Sequence, residues 1–422
     1  MIDIKKIREN IEVLENSLKR KDQTISLSKI LKMDKELRTI TSNLNILQSE
    51  QNQISKEIGK MKSQGGVDNK LFTSLKSLSL NIKDLESKSK NLSKKLKDKM
   101  LLIPNPPHDS VPQGETSEDN VVIRRHGETK KFDFELKDHV QICNDLSLVD
   151  FEGGVKISGG GFPLMKGKGA LLERALINFM IDYHLKNYDY TEYLTPFLVN
   201  PSSAITTSQL PKFSEDMYYI EKDDLYLIPT AEVSITNIHR DDILDFNELP
   251  KYYLGYSACF RREAGSYGKD TRGLLRVHQF SKVELVKFVE PNNSYKELEN
   301  LVVQASKILE LLELEYRVVE LCSGDLSFAA SKCYDLEVWA PKEGSWLEVS
   351  SCSNFEDFQA RRGNIRFKNK DGKVEFVHTL NGSGLAIPRI FAALLETHQN
   401  KDGSIKIPAA LQPYMGISKL DS

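Results

Sequence analysis

The sequence predicts an α+β protein: an antiparallel β-sheet body flanked by helices, preceded by an N-terminal antiparallel two-helix coiled-coil arm. Three observations predict it. Apolar residues recur at heptad steps on both sides of a glycine turn in the first hundred residues. Three prolines within four positions (Pro104, Pro106, Pro107) then end the helical pattern, and beyond them short β-rich segments alternate with amphipathic helices. The predicted boundary falls between 1–104 and 105–422.

The arm can be counted residue by residue. Ile30, Met33, Leu37, Ile40, Leu44, Leu47, Gln51, Ile54, Ile58 and Met61 follow at alternating steps of 3 and 4; a second run goes Leu71, Leu75, Leu78, Ile82, Leu85, Ser89, Leu92, Leu96. Only Gln51 and Ser89 are polar on this seam. Ser63-Gln64-Gly65-Gly66 between the runs is a helix stop and turn, so the two helices fold back on each other, each roughly 45 Å long at 1.5 Å per residue. Such an arm has too little core to be a domain alone.

Charge is distributed unevenly. The whole chain carries −2, but residues 1–100 hold 22 Lys and Arg against 13 Asp and Glu, leaving 36 against 47 in the remainder. A basic segment on an acidic body suggests a polyanionic partner, although a solvated Lys-rich helical surface would give the same count. No apolar run approaches the ~18 residues of a membrane span, and the N-terminus has no apolar targeting segment, so a cytoplasmic location is expected. The five cysteines, Cys143, Cys259, Cys322, Cys333 and Cys352, are scattered with no C-x-x-C pair, which predicts reduced thiols and no zinc.

In the body, helices are predicted at about 169–187, 231–239, 294–314 and 384–397. Strands are predicted at 193–199, 217–221 with 225–229 across Asp223-Asp224, 254–261, 276–289, 334–340 and 346–352. A nucleotide site needs cations for phosphates and carboxylates for a divalent ion. Gly161 to Gly169 is not a P-loop: it has one residue too many and no Ser or Thr after the lysine, and is better taken as a Gly-rich lead into a helix near Ala170. What remains is Phe260-Arg261-Arg262-Glu263-Ala264-Gly265, a polar loop to Arg272-Gly273, then Arg276-Val277-His278-Gln279-Phe280 and Glu284. Two facing strands would place Arg261, Arg276, Phe280 and Glu284 around one cleft. Far downstream stand Trp346-Leu347-Glu348-Val349-Ser350-Ser351 and Asn381-Gly382-Ser383-Gly384-Leu385-Ala386-Ile387-Pro388-Arg389. Taken singly, each Arg or Glu here has the bland reading of a surface charge or structural ion pair.

Together these segments resemble a known family. Phe260 to Glu263 with Gly273 to Phe280 resembles motif 2 of class II aminoacyl-tRNA synthetases, Asn381 to Arg389 resembles motif 3, and the helix from Gly169 into Thr195-Pro196 resembles motif 1, which builds the dimer interface in that class. Within the class the resemblance is to the seryl-tRNA synthetase family. It is carried by Ile103 to Pro112, Asp119 to Arg125, Thr230-Ala231-Glu232 and the basic arm. His126 stands where that family often has tryptophan, and Pro388 where a glycine is common.

The resemblance implies a homodimer that activates serine with ATP and Mg²⁺ and loads tRNA(Ser), with selenocysteine tRNA a further substrate where present. It implies that Arg261 holds the α-phosphate and the serine carboxylate, where a planar fork suits both. Arg276 and Arg389 would hold the outer phosphates, and Glu348 and Ser351 the magnesium. Phe280 would stack on adenine and Glu263 contact its edge, with Arg262, Val277, Val349 and Ser350 completing the ATP site. Thr230 and Glu232 would take the α-amino group with Ala231 lining the pocket; Glu284 and Ser383 would face the serine side chain and Asn381 would orient the pocket. The arm, residues 1–104, would grip the long variable arm of serine tRNAs through phosphates and sugars. A carrier-protein ligase of related fold would lack the arm and need zinc ligands; a non-catalytic derivative would have lost the motif arginines, and both Arg261 and Arg389 are present.

Overall fold

The structure, a computed structural model, describes residues 1–65, 69–264 and 273–421. The turn through Gly66 and the polar loop at 265–272 therefore lie outside the described residues. The chain forms two compact units, one of Ile2–Lys19 with Gln23–Pro104, the other of Asn105–Ser422 with Met1 and Arg20–Asp22. No helix among the described residues is long and apolar enough to cross a membrane.

The first unit has two short helices, α1 (Ile4–Glu9) and α2 (Ile11–Lys19), and the two long ones, α3 (Ser28–Ser63) and α4 (Asn69–Met100). At 1.5 Å per residue the long helices span about 54 and 48 Å, slightly more than the heptads alone indicated. The heptads meet as expected: Leu44, Leu78 and Ile82 are buried together, with Ile40, Leu47, Ile54 and Leu85 packed on them. Gln51 Nε2 donates to Ser79 Oγ (2.8 Å) and Gln48 to Glu86 (3.2 Å), so partners run in opposite senses and the pair is antiparallel. The polar seam residue thus has a partner across the pair. Near the start of α3, the buried Asp34 receives Arg8 at 2.6 Å and Arg38 at 3.1 Å, locking α1 onto α3.

The body is built on an eight-stranded sheet. Its strands are β1 (Val121–His126), β2 (Thr191–Glu192), β3 (Lys251–Phe260), β4 (Gln279–Val289), β5 (Tyr316–Glu320), β6 (Lys332–Ala340), β7 (Ser345–Asn354) and β8 (His378–Ala386). Their spatial order is β1-β5-β6-β7-β8-β4-β3-β2, antiparallel throughout except for the short β2–β3 pairing. Helices α5 (His139–Asp145), α6 (Phe151–Ser158), α7 (Lys168–Asn187), α8 (Pro201–Thr206), α9 (Glu232–Thr236), α10 (Ser294–Leu311), α11 (Phe358–Gly363) and α12 (Ile387–His398) surround it. Apolar faces of α7 (Leu172, Leu176, Met180), α10 (Leu298, Leu301, Ile308) and α12 (Ile390, Phe391, Leu394) share one core with Val283, Leu285, Leu336 and Leu380 of the sheet.

Some expectations need correction. The helix expected at 384–397 starts only at Ile387, because Gly384 to Ala386 continue β8. Of the strand expected at 193–199, only Leu198–Val199 is extended pairing, and 276–278 precede β4. Pro388 falls in the first turn of α12, where a missing N–H costs nothing. His126, in the tryptophan position, stacks on Tyr316 with ring centroids 5.1 Å apart.

Candidate active site

One face of the sheet floors a cavity of about 750 Å³. On β4 the period of two sends Phe280 and Lys282 into it, and β8 contributes Asn381 and Ser383 in the same way. Register aligns these strands: Glu284 pairs with Ser383, and Asn381 with Ser353 of β7. Glu348 and Ser351 of β7 both line the cavity although three residues apart, which a regular strand would forbid. The register between β6 and β7 shifts there, Leu336 opposing Ser350 and Glu337 opposing Glu348, so Val349 is the extra residue of a bulge that turns both toward the cavity.

Cations and carboxylates meet in pairs. Arg276 Nη1 lies 2.7 Å from Glu263 Oε2. Arg389, at the start of α12, donates to the Glu348 carbonyl (2.7 Å) and the Leu275 carbonyl (3.3 Å), with the Glu348 carboxylate at 3.7 Å. The Arg261 guanidinium covers the Phe280 ring at 5.2 Å. The chain reaches this point past His278, which stacks on Phe162 and whose N–H donates to the Gly161 carbonyl (2.8 Å). A Cβ on Gly161, at φ +79°, would sit 2.3 Å from the His278 ring, so glycine is what lets the chain pass this closely.

At the other end of the cavity the polar groups are buried. Thr230 Oγ1 donates to Glu284 Oε2 (2.7 Å) and accepts from the Glu232 backbone N–H (3.2 Å); Lys282 forms an ion pair with the same Glu284 oxygen. Glu284 Oε1 is buried and has no hydrogen-bond partner among the described residues. Glu232 Oε1 accepts from Gln359 Nε2 (2.7 Å), and Gln359 is fixed in turn by Thr379 Oγ1 (2.8 Å). Burial, reinforced by the Glu284 carboxylate, pushes the Glu232 carboxyl up to about 7, against the downward pull of Gln359, Lys282 and Asn381.

Of the residues expected at the site, Thr230, Glu232, Arg261, Glu263, Arg276, Val277, Phe280, Glu348, Val349, Ser350, Ser351, Asn381, Ser383 and Arg389 line this one cavity. Three do not. Ala231 is fully buried with Ile235, Leu244 and Tyr253, because the start of α9 turns it into the core. Arg262 lies over the Tyr218 ring at 5.5 Å, since alternate residues point apart. Glu284 lies beneath the surface, covered by Thr230 and Lys282. Sequence reasoning missed Lys282, which the β4 alternation between Phe280 and Glu284 could have found, and Gln359, for which no spacing gave a signal.

Similarity to known proteins agrees with this geometry. Residues 1–107 match the family described as the seryl-tRNA synthetase N-terminal domain, and residues 215–398 match the tRNA synthetase class II core domain (G, H, P, S and T). A serine–tRNA ligase of Carboxydothermus hydrogenoformans is 51% identical, the match covering 100% of this chain and 99% of the relative. The chain belongs to the seryl-tRNA synthetase family. It is an aminoacyl-tRNA ligase with a class II core, and serine–tRNA ligation is its activity. Two solved seryl-tRNA synthetases share the fold over 100% of this chain and 99% of theirs: that of Pyrococcus horikoshii, complexed with ATP (TM-score 0.92, 38% identity), and the cytoplasmic enzyme of Naegleria fowleri, in complex with AMP (TM-score 0.87, 30% identity).

Proposed function

We propose that this cavity condenses serine with ATP to seryl-adenylate and then passes the seryl group to the 3′ end of tRNA(Ser). The observation that carries the reading is the convergence of Arg261, Arg276, Lys282 and Arg389 with Glu232, Glu263 and Glu348 on one cavity, from segments far apart in sequence. In the first step a serine carboxylate oxygen forms a bond to the α-phosphorus and the bond to the bridging oxygen breaks, releasing pyrophosphate. The nucleophile is already an anion, so no general base is needed; the work is holding two anions together. Arg261 does this, with its guanidinium between the two groups. Arg276 and Arg389 exchange their present carboxylate partners for the outer phosphates, which frees Glu263 for the adenine edge and Glu348 for Mg²⁺.

Adenine stacks on Phe280, with Val277, Val349 and Ser350 lining its end. The residues present fit a magnesium ion, because the Val349 bulge brings the Glu348 carboxylate and the Ser351 hydroxyl to the same side. Bound there, the ion offsets triphosphate charge. Thr230 and Glu232 take the serine ammonium, and the unfilled Glu284 Oε1 next to Thr230 supports recognition of the hydroxyl, with Ser383 and Asn381 above it. In the second step the terminal ribose hydroxyl of the tRNA attacks the seryl carbonyl, the bond from that carbon to the phosphate oxygen breaks, and AMP leaves, with the hydroxyl proton passing to the departing phosphate. Residues 1–104 bind the tRNA, supported by their basic balance. The working form is a cytoplasmic homodimer: the motif 1 segment leaves Leu194 84% exposed, an apolar side chain that a second copy would cover.

Pyrophosphate exchange with serine, alanine, glycine and threonine tests this reading. A pocket built to pair a hydroxyl rejects alanine and glycine by roughly 10⁴-fold, because its polar groups are left unpaired. Threonine keeps the hydroxyl and must be refused by its methyl. Exchange with alanine at a rate comparable to serine would overturn the assignment.

A further inference from the structure

Behind the ATP end of the cavity lies a polar cluster that no role above uses. Glu396, on α12 seven residues after Arg389, is fully buried. Its Oε1 accepts the His139 backbone N–H (3.1 Å) and faces His139 Nδ1 (3.4 Å), while Oε2 accepts the backbone N–H groups of Lys342 (2.9 Å) and Glu343 (3.2 Å). His139 is 1% exposed and opens α5. Its other nitrogen, Nε2, accepts the Leu274 N–H at 3.3 Å. Leu274 and Leu275 line the cavity immediately before Arg276, and the Leu275 carbonyl is the one that Arg389 Nε holds.

The Leu274 contact fixes the tautomer: Nε2 is the acceptor, so Nδ1 carries the proton and donates toward Glu396. That settles a second question. Nδ1, Glu343 and Glu396 offer ligand atoms within 4.8 Å of one another, a span suited to a metal ion. A cation on Nδ1 would transfer the ring proton to Nε2, where it would point at the Leu274 N–H, donor against donor. The cluster is therefore a hydrogen-bond relay, and Gly273 shows how closely the chain is drawn onto it. At φ +69°, a Cβ there would lie 2.4 Å from His139 Nε2.

We propose that His139 is a positioning residue for ATP: anchored by Glu396 of the motif 3 helix, it holds the Leu274 amide and thereby sets the limb that delivers Arg276 to the outer phosphates. The inference rests on the ATP-site reading given above. It links the two arginine-bearing segments twice, through Arg389 to the Leu275 carbonyl and through Glu396 and His139 to the Leu274 amide.

Two substitutions separate the halves of the relay. In His139→Gln the side-chain oxygen reaches where Nε2 stood and still accepts from Leu274. In His139→Asn the amide reaches only as far as Nδ1, so Glu396 keeps a donor and Leu274 loses its acceptor. Serine-dependent pyrophosphate exchange is measured for the full-length protein while ATP and serine are varied separately, with thermal unfolding as a control. His139→Asn should raise KM for ATP by about tenfold or more, the scale of one hydrogen bond within a charged network, and leave KM for serine within about twofold. His139→Gln, which keeps the Leu274 acceptor but gives up the donor to Glu396, should show a clearly smaller rise in KM for ATP than His139→Asn. Gly273→Ala, whose Cβ would fall 2.4 Å from His139 Nε2 and force the limb and the ring apart, should reproduce the ATP-selective loss. Equal loss in the Asn and Gln variants, loss that falls on serine as heavily as on ATP, or no loss in His139→Asn would overturn the proposal. A parent that fails to exchange with serine would instead overturn the reading on which it rests.

Discussion

Serine should bind with a proton release centred near neutral pH, and the residue responsible is Glu232. The residue is 6% exposed, and burial and the Glu284 charge push its carboxyl up to about 7. The serine ammonium requires the ionised form. Below pH 7 binding must therefore displace one proton, and the dissociation constant for serine should rise about tenfold per pH unit, becoming flat between 7 and 8. Gln359 is the lever that tests this cause. It donates to Glu232 at 2.7 Å and holds the value down, so Gln359→Leu should move the break toward higher pH. A hydrogen bond to a charged group is worth about 1.5–3 kcal/mol, or about one to two pH units. Calorimetric titration of serine from pH 5.5 to 8, in two buffers of different ionisation enthalpy, reads both affinity and proton count, and in Gln359→Leu the affinity should still be rising with pH at the upper end. Flat affinity with no proton release in the parent would refute the assignment. A loss in Gln359→Leu of equal size at every pH would show that Gln359 only supports packing.

Arg389→Ala should keep the fold and lower serine-dependent pyrophosphate exchange by about 2–4 kcal/mol of transition-state stabilisation, on the order of a hundredfold or more; near-normal exchange by the folded variant would exclude Arg389 from phosphate contact. Bridging out residues 35–95 with a short glycine linker should spare exchange and abolish most aminoacylation, and if both fall together the arm is structural. Substituting Lys56, Lys60 and Lys62 by Ala is milder: each lost phosphate contact should flatten the log–log salt dependence of tRNA binding by about 0.7–0.9. Asp34→Ala should destabilise the arm by about 1.5–3 kcal/mol in thermal unfolding, since it removes the charged acceptor shared by Arg8 and Arg38 while leaving both guanidiniums open to water. The Arg8 hydrogen bond holds the Asp34 carboxyl below its ordinary range, so its contribution should be full above about pH 4 and fade as pH falls through that lowered value.

The arm was legible because a heptad is a local signal: each seam residue announces itself within four positions. The sheet was legible only where strands carry apolar residues. Strand β8 escaped because Asn381-Gly-Ser-Gly has the composition of a turn, and it is held extended by pairing with β4 and β7 on either side. Edge strand β1 escaped because all its residues are exposed and no alternation marks an inner face. Spacing by itself argued against Glu348 and Ser351 sharing a face; only the bulge at Val349, which depends on the partner strand, reconciles them. His139 and Gln359 gave no signal for a related reason. Glu396 and Leu274 lie more than a hundred residues from His139, and Glu232 lies as far from Gln359, and a lone polar residue carries no period.

The supply of donors to a buried carboxylate distinguishes Glu396 from the two carboxylates proposed to face serine. Burying such a charge is tolerable only when donors replace its water. Glu396 is met by three backbone amides and the His139 ring, both oxygens engaged. Glu284 has Thr230 and Lys282 on one oxygen, while the other is buried without a partner among the described residues. Glu232 has Gln359 on one oxygen, but burial and the neighbouring Glu284 charge outweigh that bond and the pull of Lys282 and Asn381, and its carboxyl is pushed up to about 7. A protein that saturates one buried carboxylate could have saturated all three. Glu315 Oε2 is also buried without a partner among the described residues, but Glu232 and Glu284 stand together at one end of the cavity, where on the proposed reading a ligand bearing one ammonium and one hydroxyl would complete both.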